Sequence, residues 1–353
     1  MSDAGNGANG AQPKGPVGDR YSRQTLFAGI GPEGQRRLAQ SSVAIIGCGA
    51  MGSALADNLA RAGVGRLRVI DRDFVEVNNL QRQTLYAEAD AATATPKAIA
   101  AERRLRAVNS EVVIEPIVSD FTADNALALL DGMDLALDGT DNFEARYLLN
   151  DACLQLGIPW IYNGVIAAYG VTMTVRPRET ACLRCAFPER PLPGTTPTCD
   201  TAGILNGIVA AIGGISATEA LKLLMGSEKQ ARGLYWLDLW ENTSERIELA
   251  RQEDCPACGL GDYEYLDAAL TEESATLCGR NAVQVRAPHG ASLDLADLGR
   301  RLAPLGEVAV NEYLLRATLD GYEVTVFPDA RAIIKGTAEP SVARTVYARY
   351  IGS

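Results

Sequence analysis

Short apolar runs alternate with stretches of helical spacing through most of the chain. Val43–Ile46 is a run that ends at Gly47, as expected of a strand buried on both faces. Leu55, Leu59 and Ala62 then recur at helical spacing until Gly63 and Gly65 stop them, and Leu67–Ile70 resumes as a second strand ending in Asp71. The same reading predicts strands over 111–118, 135–137, 160–163 and 171–175, and helices over 97–109, 123–130 and 142–156. Such alternation predicts an α/β fold, a Rossmann-like doubly wound sheet that is mostly parallel. Ala202–Leu224 is apolar on nearly every side and predicts one long buried helix. Glu219 and Lys222 interrupt it, which argues against a membrane span.

Leu234–Leu239 and Arg246–Leu249 read as the closing strands of a first domain over residues 20–260, with Leu260–Glu264 as linker. Residues 1–19 are rich in Gly, Asn and Pro and read as a flexible leader. Residues 261–353 read as a small C-terminal α/β domain. It holds a strand at 283–286, a helix at 295–302, a hairpin turning at Asp320-Gly321, a strand at 332–335 and a helix with Pro340 at its first position. His289, the single histidine, has no partner pattern and reads as a loop residue.

The chemistry starts at the first βαβ unit. Gly47, Gly49 and Gly52 form G-x-G-x-x-G between strand and helix, with Ala50 inside the turn. Glycines let the backbone approach a phosphate, and the helix N-terminus offers free N–H groups. Asp71 ends the second strand, where a ribose hydroxyl is held in such units, and Asp73 follows. A dehydrogenase would use the same unit for NAD but has no need of cations around the phosphates. Here Asn78, Asn79, Gln81 and Arg82 follow, then Lys97 after Pro96, and Asp141 and Asn142 close a later strand. Two cations and a carboxylate able to hold Mg²⁺ suit nucleotidyl transfer from ATP.

Eight cysteines are present. Cys182 and Cys185 form one C-x-x-C pair, Cys255 and Cys258 another. A redox pair or plain thiols are the simpler readings, but two pairs flanking one domain favour a four-thiolate structural Zn²⁺ site. Between them a Pro- and Gly-rich loop delivers Cys199 to the start of the predicted long helix. A thiolate there gains from the helix dipole and becomes more nucleophilic. A buried cap cysteine is the plainer alternative.

The runs RYSRQ (from Arg20), GCGAMGS, DRDFVEVNNLQRQ, PK, DGTDNFEARYLLND and TCDTAGI resemble the ThiF/MoeB/HesA family, relatives of ubiquitin-activating enzymes. The tail, with LCGRNAVQVRAPH around Cys278 and ARTVYARYIG, resembles the longer Gram-positive-type members of that family that serve thiazole biosynthesis. The resemblance implies an adenylyltransferase that uses ATP to activate the C-terminal glycine carboxylate of a ubiquitin-fold sulfur carrier, ThiS-like or MoaD-like. It implies ATP contacts from the glycine turn, Asp71, Asp73, Asn78, Asn79, Gln81, Arg82, Lys97, Asp141 and Asn142. It also implies zinc at the four paired cysteines. It implies a covalent role for Cys199, and a homodimer in which Arg23 reaches the partner's nucleotide. Ala50 stands where many relatives have glycine; ThiF-type members share it. A non-catalytic scaffold of the same superfamily is the remaining alternative, opposed by the presence of Arg82, Lys97 and Asp141.

Composition changes this picture little. Hydrophobic content of 47% and 22% charge are ordinary for a globular chain. A net charge of −11 argues against nucleic-acid binding by phosphate neutralisation. The start of the chain has no apolar segment of secretory type, and paired thiols suit a reducing compartment, so a cytoplasmic location is expected.

Overall fold

The computed structural model describes residues 20–191, 198–267, 274–277, 281–285 and 292–352. The expected leader, Cys278 and His289 lie outside the described residues, as do Pro193, Gly194 and Pro197 of the loop before Cys199.

Eight strands form the first sheet: β1 (Ser42–Ile46), β2 (Arg66–Ile70), β3 (Val113–Ile117), β4 (Leu135–Asp138), β5 (Trp160–Ile166), β6 (Tyr169–Val175), β7 (Leu234–Asp238) and β8 (Thr243–Ile247). Their order is β3-β2-β1-β4-β5-β6-β7-β8. The pairs β3–β2, β2–β1, β1–β4 and β4–β5 are parallel. From β5 onward the pairing turns antiparallel. The expectation of strand–helix alternation throughout fails here for a simple reason. Only Ala167 and Ala168 join β5 to β6, too short a link for a crossover.

Alternate residues of β1 feed two cores. Val43 and Ile45 pack with Leu55, Leu59 and Leu105 on one side, and Ala44 and Ile46 with Tyr147 and Trp160 on the other. Just past the expected linker, Tyr265 lies against Tyr147 with ring centroids 5.0 Å apart, so the chain still belongs to this core there.

The long apolar helix is shorter than its pattern predicts. Gly203 adopts φ +73° and ends a short helix, Cys199–Ala202, and the long helix is Asn206–Leu224. By length and composition it could cross a membrane. In the fold it packs on the helix Ala50–Ala62 and on β5 and β6. A Cβ on Gly213 would come within 3.0 Å of the Ala54 Cβ.

The remaining strands form a second sheet: β9 (Ser274–Leu277), β10 (Ala282–Val285), β11 (Glu307–Val310), β12 (Leu315–Leu319), β13 (Tyr322–Val326) and β14 (Ala332–Lys335). Their order is β11-β12-β13-β14-β10-β9. The Asp320-Gly321 hairpin forms as expected, both residues at positive φ, and Pro340 opens the last helix, Pro340–Tyr350. That helix and Leu295–Leu302 close a separate core around Val283, Leu315 and Val326.

Candidate nucleotide site and cysteine cluster

The strand order reverses between β1 and β4, and ligands of open α/β sheets bind beyond the carboxyl ends of strands at such a crevice. The glycine turn stands on one side. Gly47 has φ +83° and donates its N–H to the Ile70 carbonyl at 2.8 Å. A Cβ on Gly52 would lie 1.9 Å from the Gly47 carbonyl oxygen, so only glycine lets the helix Ala50–Ala62 sit this close to β1. Gly49 is the N-cap of that helix and Ala50 its first residue. Cys48, within the turn, is buried, and burial pushes its thiol up to about 12, which makes it inert.

Gly139 faces this turn from β4. A Cβ there would meet the Gly47 oxygen at 2.2 Å and the Gly52 Cα at 2.8 Å. This residue was not singled out from the sequence, although it stands in the DGTDN run. Its loop is fixed by a buried ion pair: Arg146 Nε donates to Asp138 Oδ2 at 3.0 Å, and Arg146 Nη2 to the carbonyls of Thr140 and Asn163 at 2.8 and 3.1 Å. Asp141 and Asn142 are exposed at the end of this loop. The Asn142 side chain accepts the Ala145 N–H at 2.9 Å and so caps the helix Phe143–Leu156.

Asp71 is buried and oriented by two backbone donors, Cys48 N–H at 2.6 Å and Asp73 N–H at 2.7 Å. Burial raises its pKa, and the Lys97 charge and the two donors pull it back. Lys97, at the start of the helix Lys97–Val108, is 4% exposed, with Nζ 3.1 Å from Asp73 Oδ2. Lys97 is therefore buried and already charge-paired with Asp73, next to Asp71 in the same loop.

The NNLQR segment divides. Asn79 is buried and occupied in closing a 3₁₀ turn, accepting the Glu76 N–H and donating to Asn78 Oδ1. Asn78 and Gln81 are exposed, and Arg82 is half-buried with Nη1 on the Asn78 carbonyl at 2.8 Å. Gln83, not singled out before, is buried with its Oε1 unpartnered, and its Nε2 stands 3.8 Å from where a Gly49 Cβ would be.

Two other predicted residues sit apart from the crevice in sequence. Within RYSRQ, Tyr21 accepts from Asn109, and Gln24 donates to the Ala62 carbonyl, while Arg23 is exposed. Cys199 begins a four-residue helix instead of the expected long one, so it lacks the long-helix dipole expected to activate its thiolate. Gly203 is the physical reason, since a residue at positive φ stops helical hydrogen bonding.

The four paired cysteines do come together. All four sulfurs lie within 4.8 Å of one another, with individual separations of 3.9 Å (Cys182–Cys185), 3.6 Å (Cys182–Cys255) and 3.4 Å (Cys185–Cys258). Ligands about 2.3 Å from a tetrahedral zinc ion stand roughly 3.8 Å apart, so the set fits Zn²⁺. No disulfide links these four thiols.

A glycine turn at a strand-order reversal, an oriented carboxylate and a buried lysine mark an α/β protein of nucleotide-binding type, and its four-thiol cluster could hold a metal ion. Residues 21–257 match the ThiF family, and the chain belongs to that family. It is 44% identical over 336 residues to the sulfur carrier protein ThiS adenylyltransferase of Bacillus subtilis, covering 94% of this chain and 99% of that one. It is 40% identical over 260 residues to the SAMP-activating enzyme E1 of Haloferax volcanii, covering 73% and 95%. Among solved structures, Escherichia coli MccB has the same fold, with a TM-score of 0.60 at 21% identity over 69% of this chain and 75% of that one.

Proposed function

We propose that the chain is an ATP-dependent nucleotidyltransferase that adenylylates the C-terminal glycine of a ThiS-like, ubiquitin-fold sulfur carrier for thiamine thiazole biosynthesis. The carrying observation is the pairing of this crevice with 44% identity to the Bacillus enzyme along 94% of the chain, the second sheet included. The carrier's terminal carboxylate attacks the α-phosphate of ATP, giving an acyl-adenylate and releasing pyrophosphate. No general base is needed, because a carboxylate is ionised at neutral pH.

The turn from Gly47 to Ala50 and the helix N-terminus behind it receive phosphate oxygens, and Asp71 receives the ribose hydroxyls. Asn78, Gln81, Arg82 and Lys97 face the nucleotide, with Asn79 holding their loop. Arg82 and Lys97 spread the charge that develops on the phosphates. Asp141 is an exposed carboxylate two residues beyond the Gly139–Gly47 contact, a suitable place for Mg²⁺, which would neutralise phosphate charge. Arg23 of a second copy completes the site in a homodimer. Cys182, Cys185, Cys255 and Cys258 hold structural Zn²⁺. The Cys199 thiolate then attacks the carbonyl of the acyl-adenylate, forming a thioester with the carrier as the acyl–phosphate bond breaks and AMP leaves. We place the protein in the cytoplasm, away from membrane and nucleic acid.

ATP–pyrophosphate exchange with purified carriers tests this. Exchange that requires a ThiS-like carrier with intact terminal glycines supports it, and exchange with no carrier at all overturns it. The 40% identity to the Haloferax enzyme favours one second reading, the same chemistry on a MoaD-like carrier for molybdopterin synthesis or tRNA thiolation.

A further inference from the structure

The loop from Asp71 to Phe74 is gripped from both sides. Within the first unit, Asp71 Oδ1 accepts the Asp73 N–H at 2.7 Å, and Lys97 N–H donates to the Asp73 carbonyl at 2.9 Å. The outer grip comes from the second sheet. Arg331, in the link between β13 and β14 and 4% exposed, donates from Nη2 to the Arg72 carbonyl at 2.9 Å. Gln284 of β10, fully buried, donates to Asp120 Oδ2 at 3.0 Å. Asp120 in turn accepts from Arg72 Nη1 at 3.1 and 3.2 Å. Arg316 of β12 stands over Phe74, 4.3 Å from its ring centroid.

One peptide unit links these contacts. Its carbonyl, from Arg72, takes the Arg331 guanidinium, and its N–H, from Asp73, holds the Asp71 carboxylate. Hydrogen bonds at the two ends of a peptide polarise and orient it together. The arrangement is also costly. Arg331 Nε and Nη1 have no hydrogen-bond partner, with Asp329 3.7 Å from Nε, and Gln284 Oε1 has none either. Apolar side chains would seal the two units without that desolvation.

We infer that Arg331 is a positioning residue of the nucleotide site: it fixes the Arg72–Asp73 peptide, and so sets how Asp71 and the Asp73–Lys97 pair meet ATP. The second unit thereby tunes nucleotide affinity. The inference rests on the adenylylation reading for the identity of the ligand.

The test uses the full chain and a non-hydrolysable ATP analogue in titration calorimetry, alongside exchange kinetics. Arg331→Met should weaken analogue binding roughly ten-fold, the loss of one hydrogen bond made by a charged group. KM for ATP should rise with it, while kcat and KM for the carrier stay near those of the unsubstituted protein. Arg331→Lys should recover most of the affinity. If Arg331→Met does not fold, Gln284→Met, which cuts the second tie, carries the same expectation. Unchanged analogue affinity, or losses spread evenly over ATP and carrier, overturns the inference. An unsubstituted protein that binds the analogue but exchanges no pyrophosphate with any carrier overturns the adenylylation reading instead, and the binding comparison still decides the role of Arg331.

Discussion

Lys97 Nζ lies 3.1 Å from Asp73 Oδ2, and both belong to the wall on which Asp71 is held. The carboxylate stands as counter-charge beside a buried side chain and holds its Nζ in place. Leaving one member of such a pair uncompensated costs about 3–5 kcal/mol. Asp73→Asn, which removes the carboxylate beside the buried Lys97, should therefore lower stability and weaken ATP binding, whereas Lys97→Ala, which leaves a part-exposed Asp73 that Arg72 also approaches at 3.8 Å, should cost less stability and abolish exchange. Denaturant unfolding and exchange assays on both variants check this; Lys97→Ala with full exchange would remove Lys97 from the mechanism.

Asp141→Ala should stop pyrophosphate exchange with little change in stability, because this side chain is exposed and its loop is held by Arg146. Zinc content should be unaffected. Persistent exchange at saturating Mg²⁺ would refute its metal-binding role.

Gly52→Ala places a methyl where a carbonyl oxygen is 1.9 Å away. The helix Ala50–Ala62 must retreat from β1, at about 1–3 kcal/mol or more, and the turn it supports opens. Analogue binding should fall along with the melting temperature. Gly132→Ala, where φ is +70° but nothing lies within 4 Å, should cost only about 1 kcal/mol and leave binding intact.

The cysteine cluster ties the segment near 182–185 to the segment near 255–258, far apart in sequence. Elemental analysis should find one zinc ion per chain. Cys258→Ser or prolonged chelation should remove it and lower the melting temperature substantially, since binding energy at a structural site is folding energy. A chain that keeps its melting temperature without metal would show that packing alone holds the staple.

Asp151 is buried beneath the Tyr265 backbone, whose N–H it accepts at 3.2 Å, and burial raises its pKa to about 6. The folded value exceeds the unfolded one, so ionisation favours unfolding. Stability from this group should rise as pH falls from above 6 towards 4, by roughly 2–3 kcal/mol. Unfolding of the native protein and Asp151→Asn across that range should differ in slope, with the variant flatter; parallel curves would contradict the assignment.

Local pattern was enough for the βαβ unit. A β-branched run, a glycine turn and helical spacing between Val43 and Ile70 depend on neighbours in sequence, and each formed where its residues direct. The hairpin at Asp320-Gly321 and the helix beginning at Pro340 were legible for the same reason. The pairing within each half of the cysteine cluster was legible too, because C-x-x-C places two thiols on one turn wherever the chain folds.

Other features were decided by partners that a linear reading does not supply. Gly139 matters because β4 lies beside β1 and brings its backbone against Gly47. Asn79 looks like a ligand residue but closes its own turn. Cys199 lost its long helix to one backbone angle at Gly203. The hold of Arg331 on the Arg72 carbonyl joins positions distant in sequence across two separate sheets. The amino-acid order thus determined the elements and the chemistry available to them, since propensity and side-chain type are local properties. Which groups share a site was decided by strand order and packing, because a crevice between non-consecutive strands exists only once the sheet has formed.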